Sequence, residues 1–351
     1  MSQKILLLCE FPQVNGGENS MLATFPALLA AGLLPVVAGP AESPLQRRVE
    51  QAGAEFVPFG TEKQGQAAGR EELAALCRRI TPDLLHANSL SMARLAGPVM
   101  LELPTPSIGH LRDILKLSRK AREDVAQHDL ILCVSDATRQ AHLNWGLAPK
   151  RIEVLHNGVD LAQFSPRPSE VTSELPRLGT VGQISLRKGM DVLAAAMEKI
   201  ESPCELLVAG ERHGEKEETV QVEQTILAAK KTRCIGRCET MPDFLRSLTV
   251  YVHPARQEPL GRVLLEAAAT GLPIVATNVG GTAEIFPPES NAAILVEPDD
   301  PAAIATQVER LLSDVQLRNT LAHNARKRME ESFSIEHAAA GLLQHYQALL
   351  Q

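Results

Sequence analysis

Short apolar runs of strand length alternate with stretches of helical periodicity along almost the whole chain, the pattern of parallel βαβ units whose strands are covered on both faces. A first series of candidate strands falls at 5–9, 34–38, 55–58, 84–86, 106–109, 130–134 and 153–155. A second series falls at 178–181, 205–209, 233–235, 250–253, 274–276 and 293–296. Between them, 165–177 is rich in Pro, Ser and Glu and poor in large apolar residues, which is linker composition. The expected organisation is two α/β domains, 1–165 and 166–334, followed by a terminal segment 335–351 formed by one last helix. The stretch 21–39 is apolar over nearly the length of a membrane span. Pro26, Gly32 and Pro35 interrupt it, so it reads as helix, turn and buried strand. The run 5–9 has no cleavage site behind it, so no signal peptide is expected.

Composition narrows the field. A chain of 351 residues can bury two full cores. One Trp and two Tyr are too few for the exposed aromatic platforms of a carbohydrate-binding module. A formal net charge of −7 gives no general attraction to nucleic acid. The six cysteines are scattered, several inside apolar runs where a thiol packs as a small hydrophobe, so a reducing, cytoplasmic setting is expected. Cys234 and Cys238 form the one close pair, and neither a second pair nor a histidine cluster completes a zinc site. The chain also lacks G-x-G-x-x-G, a P-loop, G-x-S-x-G, H-E-x-x-H and D-x-D. Dinucleotide, ATP, common hydrolase and diphosphate-clamping metal chemistry thereby lose their usual signatures.

The informative stretch is 253–285, HPARQEPLGRVLLEAAATGLPIVATNVGGTAEI. Glu258 lies in the loop after a candidate strand, and Leu260 and Gly261 stand at the start of the helix that follows, where free amides suit a phosphate or sugar oxygen. Glu266, two turns into that helix, brings a carboxylate that paired hydroxyls can bond. Either glutamate alone fits a solvated helix surface; their spacing and surroundings carry the assignment. The segment resembles the donor site of retaining glycosyltransferase family 4, whose hallmark is two glutamates separated by seven residues, then an A-x-G-x-P-V-x-A-type strand and a Gly-Gly turn. The resemblance implies that Glu266 holds the ribose of the donor and that Glu258 contacts donor-sugar hydroxyls.

A second segment, VGQISLRKGMDVL at 181–193, resembles the family's V-G-R-x-x-x-x-K-G stretch, in which a basic pair meets the donor diphosphate. Gln183 stands where the family has arginine, Lys188 is in place, and Arg187 is an additional cation. Cations are disfavoured at a helix start unless something anionic sits there. In the first domain Asn15, Gly16, Gly17, Glu18 and Asn19 match a family Gly-Gly loop whose amides can face an anion, although an ordinary strand-to-helix turn explains them as well. His110, at the end of the candidate strand 106–109, stands where family members often place a histidine near the transferred sugar. The run Arg112, Lys116, Arg119, Lys120 and Arg122 reads as a solvated helix face, with a phosphorylated acceptor or an anionic lipid surface as the alternative. VLHNGVDLAQF at 154–164 resembles the family's N-G-V-D segment and is read as a turn without chemistry.

The resemblance spans almost the whole chain and implies a GT-B fold, with two Rossmann-like domains facing a cleft, donor on the second, acceptor on the first, and the last helix returning to the first. It implies a metal-independent hexosyltransferase that retains the anomeric configuration, with His110 and Glu258 catalytic. The donor is a UDP- or GDP-sugar acting as substrate, and no separate cofactor is expected. The acceptor stays open among glycan, lipid-linked and small-molecule classes, with peripheral contact at the inner membrane face as one setting. A nucleotide-sugar epimerase of the same fold and a donor-binding pseudoenzyme are the alternatives, the latter on account of Gln183.

Overall fold

Strands form where apolar side chains run without interruption, because a central parallel strand presents both faces to packed helices. The computed structural model describes residues 2–60, 65–166, 175–238 and 240–351; residues 167–174 of the expected linker lie outside them. The chain divides into two compact units, Met1–Gly158 with Ile335–Gln351, and Val159–Ser334. The unit boundary thus lies just upstream of the Pro-rich segment, because Val159 pairs with Ser334 inside the second unit.

The first unit contains β1 (Gln3–Leu8), β2 (Leu33–Gly39), β3 (Glu55–Pro58), β4 (Leu84–Ala87), β5 (Ser107–Leu111), β6 (Leu130–Cys133) and β7 (Ile152–Val154). They pair in parallel in the order β3-β2-β1-β4-β5-β6-β7. Alternation along the strands sends Leu6, Leu8, Val36 and Leu85 to one face, packed with Leu73, Leu76 and Leu95 from helices Gln66–Ile80 and Leu90–Met100. Ile5, Leu7, Val37, Leu84 and Ile108 point the other way, onto Phe25, Leu28 and, from the final helix Ile335–Leu350, Leu342 and Tyr346.

The second unit contains β8 (Arg177–Val181), β9 (Glu205–Ala209), β10 (Thr232–Gly236), β11 (Val250–His253), β12 (Ile274–Thr277) and β13 (Ile294–Val296), parallel in the order β10-β9-β8-β11-β12-β13. Leu178, Leu206, Val208, Val250 and Val252 pack there against helices Met190–Met197, Glu217–Ala228 and Pro301–Ser313. Every predicted strand is present, its ends within two residues of the expected bounds. In both sheets the order reverses between the first strand and the fourth, which opens a crevice at the carboxyl ends of β1 and β4 and of β8 and β11. Among the described residues no helix is long and apolar enough to cross a membrane.

Candidate active site

In the second unit the chemistry gathers at that crevice. His253 is the last residue of β11, Glu258 lies in the loop behind it, and Lys188 closes the short turn Leu186–Lys188 after β8. Glu258 is only 6% exposed, yet its Oε2 receives Lys188 Nζ at 2.5 Å and His253 Nε2 at 2.9 Å. Burial alone would raise its pKa; the Lys188 ammonium and the His253 hydrogen bond outweigh burial and hold the carboxyl well below the usual carboxylate range. A carboxylate only accepts, so His253 carries its proton on Nε2, and burial keeps the ring from taking a second one readily despite the pull of Glu258. Glu266 behaves in the opposite sense. It is 5% exposed inside helix Arg262–Ala269, where burial pushes its pKa up and Arg262, at 2.9 Å one turn away, only partly opposes this.

The loops around Glu258 are held by backbone fit. Gly280 sits at φ +53°, and a Cβ there would lie 1.9 Å from the Glu258 carbonyl oxygen, which also accepts from Gly281 N at 3.0 Å. The Gly-Gly turn of the motif is therefore the seat of the Glu258 backbone. Gly189, at φ +66°, approaches the Pro254 carbonyl equally closely, which seats the Lys188 turn on the β11 loop. Arg256 fastens the same two loops: it donates to both Asp191 carboxylate oxygens at 2.7 Å, to Asp299 at 2.6 Å and to the Leu186 carbonyl at 2.6 Å. Helices Met190–Met197 and Arg262–Ala269 begin at Gly189 and Gly261 without a side-chain cap, leaving first-turn amides open toward an anion.

The first unit has its own pocket at the carboxyl ends of β1, β4 and β5, lined in part by His86, Asn88, His110, Arg112, Asn157 and Tyr346. Arg112 organises it, donating to the Asn88 carbonyl at 3.1 Å, Asn88 Oδ1 at 2.8 Å, Asn157 Oδ1 at 2.8 Å and His110 Nδ1 at 3.2 Å. Gly17, in the first turn of helix Gly16–Ala23, lets Arg112 lie close, since a Cβ there would stand 3.0 Å from Arg112 Cδ. Burial, then Arg112 and His86, push the His110 pKa well below its ordinary value.

With this geometry in place, comparison with known proteins places the chain. The profile described as Glycosyltransferase Family 4 matches residues 14–163, and that described as Glycosyl transferases group 1 matches residues 163–328. The chain belongs to the family 4 type glycosyltransferases. Among curated relatives, the phosphatidylinositol N-acetylglucosaminyltransferase gpi3 subunit of Schizosaccharomyces pombe is 27% identical over 206 residues, 57% of this chain and 45% of that protein. The putative glycosyltransferase YtcC of Bacillus subtilis is 24% identical over 313 residues, 80% of this chain and 76% of that protein. The chain spans about half the length of the first curated relatives it matches. Among solved structures, Anabaena Alr3699/HepE in complex with UDP-glucose superposes with a TM-score of 0.87 at 20% identity, covering 98% of this chain and 99% of that one. That likeness shows the GT-B fold.

For this family 4 type chain, the structure gathers Lys188, Glu258, Leu260, Gly261 and Glu266 at one crevice of the second unit, with Gln183 half-buried and Arg187 exposed on the same stretch after β8. Gly16, Gly17 and His110 lie in the first unit. Three readings of the sequence need correction. His110 lies inside β5, paired with Leu132, because the strand runs on to Leu111. The basic run is not one solvated face. Arg112 precedes helix Arg119–Val125 and turns into the pocket, Arg119 and Lys120 pair with Glu123 and Asp124 along the helix, and Arg122 donates to the Leu117 carbonyl. Asn157 is more than a turn residue, since it takes a hydrogen bond from Arg112 in the pocket. His86, Tyr346, His253 and Arg256 escaped sequence reasoning, because each sits in an apolar or mixed run where a lone polar residue gives no signal of its partner.

Proposed function

We propose that the chain is a retaining glycosyltransferase that moves a hexosyl group from a nucleoside-diphosphate sugar, bound on the second unit, to an acceptor hydroxyl. The observation that carries this reading is the pair of buried carboxylates in one crevice, one held ionised by Lys188 and His253 and the other left with its pKa raised beside Arg262. Glu266 is suited to accept from the two ribose hydroxyls, which a carboxylate can bond in pairs. Glu258 is suited to orient donor-sugar hydroxyls. Lys188, Arg187 and the amides of Leu260 and Gly261 supply positive potential for the diphosphate in place of a metal ion. Gln183 adds a neutral donor where relatives carry arginine. The amides of Gly16 and Gly17 and the His110 ring serve the substrate that enters the first unit's pocket. In the transfer the acceptor oxygen bonds to the anomeric carbon on the face from which the diphosphate departs, and the hydroxyl proton passes to a departing phosphate oxygen.

The solved UDP-glucose complex of like fold makes UDP-sugars the first donors to try. Thermal-shift titration with UDP- and GDP-sugars, then transfer assays over a panel of acceptors with the product anomer read by NMR, test the proposal. A stabilising nucleotide sugar, and a product of unchanged configuration formed equally with and without chelator, are expected. An inverted product, loss on chelation restored by magnesium, release of an epimerised sugar, or donor binding without turnover would each overturn it.

A further inference from the structure

We propose that Tyr346 of the final helix and His86 of β4 are positioning residues that, together with Arg112, hold the His110 imidazole as a neutral Nε2–H donor facing the substrate pocket of the first unit. The inference rests on the proposed transferase reading, in which His110 meets substrate. It starts from Arg112, whose guanidinium has no lone pair to offer. Its Nη2 lies 3.2 Å from His110 Nδ1, so Nδ1 accepts and the single proton of the neutral ring sits on Nε2. His86 Nε2 lies 3.2 Å from the same Nδ1, and since that atom accepts, His86 Nε2 carries the proton. His86 is buried and its pKa is pushed down to about 3, chiefly by desolvation and then by Arg112, so the ring holds no second proton and its Nδ1 is bare. Tyr346 Oη, 2.6 Å from that Nδ1, is then the donor. The chain of donations has one direction, from Tyr346 to His86 to His110.

Packing holds the chain in line. The two imidazole planes lie 23° apart with centroids 5.3 Å apart, and Tyr346 meets His86 edge-on. Tyr346 is 0% exposed, His86 2% and His110 3%. His110 Nε2 is buried and has no hydrogen-bond partner among the described residues, although the ring lines the pocket. A buried donor left open at a pocket wall is a group prepared for a ligand oxygen. Without Arg112 and the relay the ring is free to present a bare Nε2, which repels a sugar or phosphate oxygen instead of bonding it. The final helix is thereby tied into the site through one phenol, which explains why a hydroxylated aromatic stands at a wholly buried position of this helix.

The test uses the full chain with 15N-labelled histidine. In the unmodified protein the spectrum should show His110 and His86 as Nε2–H tautomers. His86→Leu should remove one of the two donors to His110 Nδ1, broaden the His110 signals and lower kcat on the order of tenfold, with UDP affinity unchanged because the nucleotide binds the second unit. His86→Gln should rescue both, since an amide can donate toward His110 and accept from Tyr346 with the same polarity. Tyr346→Phe should broaden the His86 signals and lower kcat by a smaller factor. A His110 Nδ1–H tautomer in the unmodified protein overturns the proposal, as does a His86→Leu variant with unchanged His110 spectrum and kcat, or a His86→Gln variant as impaired as His86→Leu. If the unmodified protein transfers no sugar, the transferase reading fails, while the spectra still decide the relay.

Discussion

At the residue scale, Glu258 and Glu266 show how one crevice drives two carboxylates in opposite directions. The pKa of Glu258 is depressed, chiefly through Lys188 against the effect of burial, so its pairing adds stability above the ordinary carboxylate pKa of about 4.3, and that stability is lost as pH falls below it. The pKa of Glu266 is raised by burial, so its ionisation takes stability away as pH rises through the same region. Glu258→Gln should therefore destabilise the protein at pH 7, by a difference that shrinks toward pH 3.5 in urea melts at the two pH values. Glu266→Gln should raise the melting temperature at pH 7, and the gain should vanish at pH 3.5. The same Glu266→Gln variant should bind UDP on the order of ten- to a hundredfold more weakly, because hydrogen bonds to a charged group are worth roughly 1.5–3 kcal/mol. Unchanged UDP affinity in titration calorimetry would refute the ribose assignment. Stability gained where binding is lost is the signature of a carboxylate kept for its ligand.

At the scale of elements, the site depends on the fit of two loops to each other. Gly280 admits the Glu258 carbonyl where any Cβ would collide with it, so Gly280→Ala must displace the loop. It should lower stability by about 2 kcal/mol or more and weaken donor binding together, read by chemical denaturation and UDP titration. Arg256 makes a bidentate pair with Asp191, and lysine can supply only one point of contact. Arg256→Lys should raise the donor KM several-fold through looser placement of the Lys188 turn, with a stability loss of about 1–2 kcal/mol. A normal KM with the stability loss would show that the clamp serves folding alone.

At the scale of the molecule, His86, His110, His128, His142 and His253 are buried, and desolvation lowers the pKa of each, to about 4 in His128. Unfolding below pH 6.5 exposes rings that then protonate, so the unfolded chain binds more protons and stability falls as pH falls. Unfolding at pH 5.5 should take up protons, each ring held neutral in the fold adding a slope of up to about 1.4 kcal/mol per pH unit. Calorimetry in buffers of different ionisation enthalpy measures this uptake, and a value near zero would show that the rings are charged in the fold. The first unit is also discontinuous in sequence, since Ile335–Gln351 belongs to it. Removing that segment strips Leu342 and Tyr346 from the sheet face they cover, so the first unit should lose its cooperative melt while the second keeps UDP binding.

The strands, their order of appearance and the spacing of the two glutamates were legible in the sequence because they rest on local rules. Unbroken apolar runs must be buried on both faces, and Glu258, Glu266 and the Gly-Gly turn lie within one continuous segment whose spacing can be read directly. The partners were not legible. Lys188 and Glu258 meet across 70 positions, His86 and Tyr346 across 260, and Arg112 and Asn157 across 45, all brought together by sheet order and by the return of the final helix. The sequence by itself determined two α/β units and the placing of two glutamates and a Gly-Gly turn in one segment of the second. Only the tertiary structure decided which carboxylate stays charged, which way a histidine holds its proton, and that Arg112 faces a pocket instead of water. Protonation and hydrogen-bond direction depend on burial and on neighbours distant in sequence, and neither is encoded in local pattern.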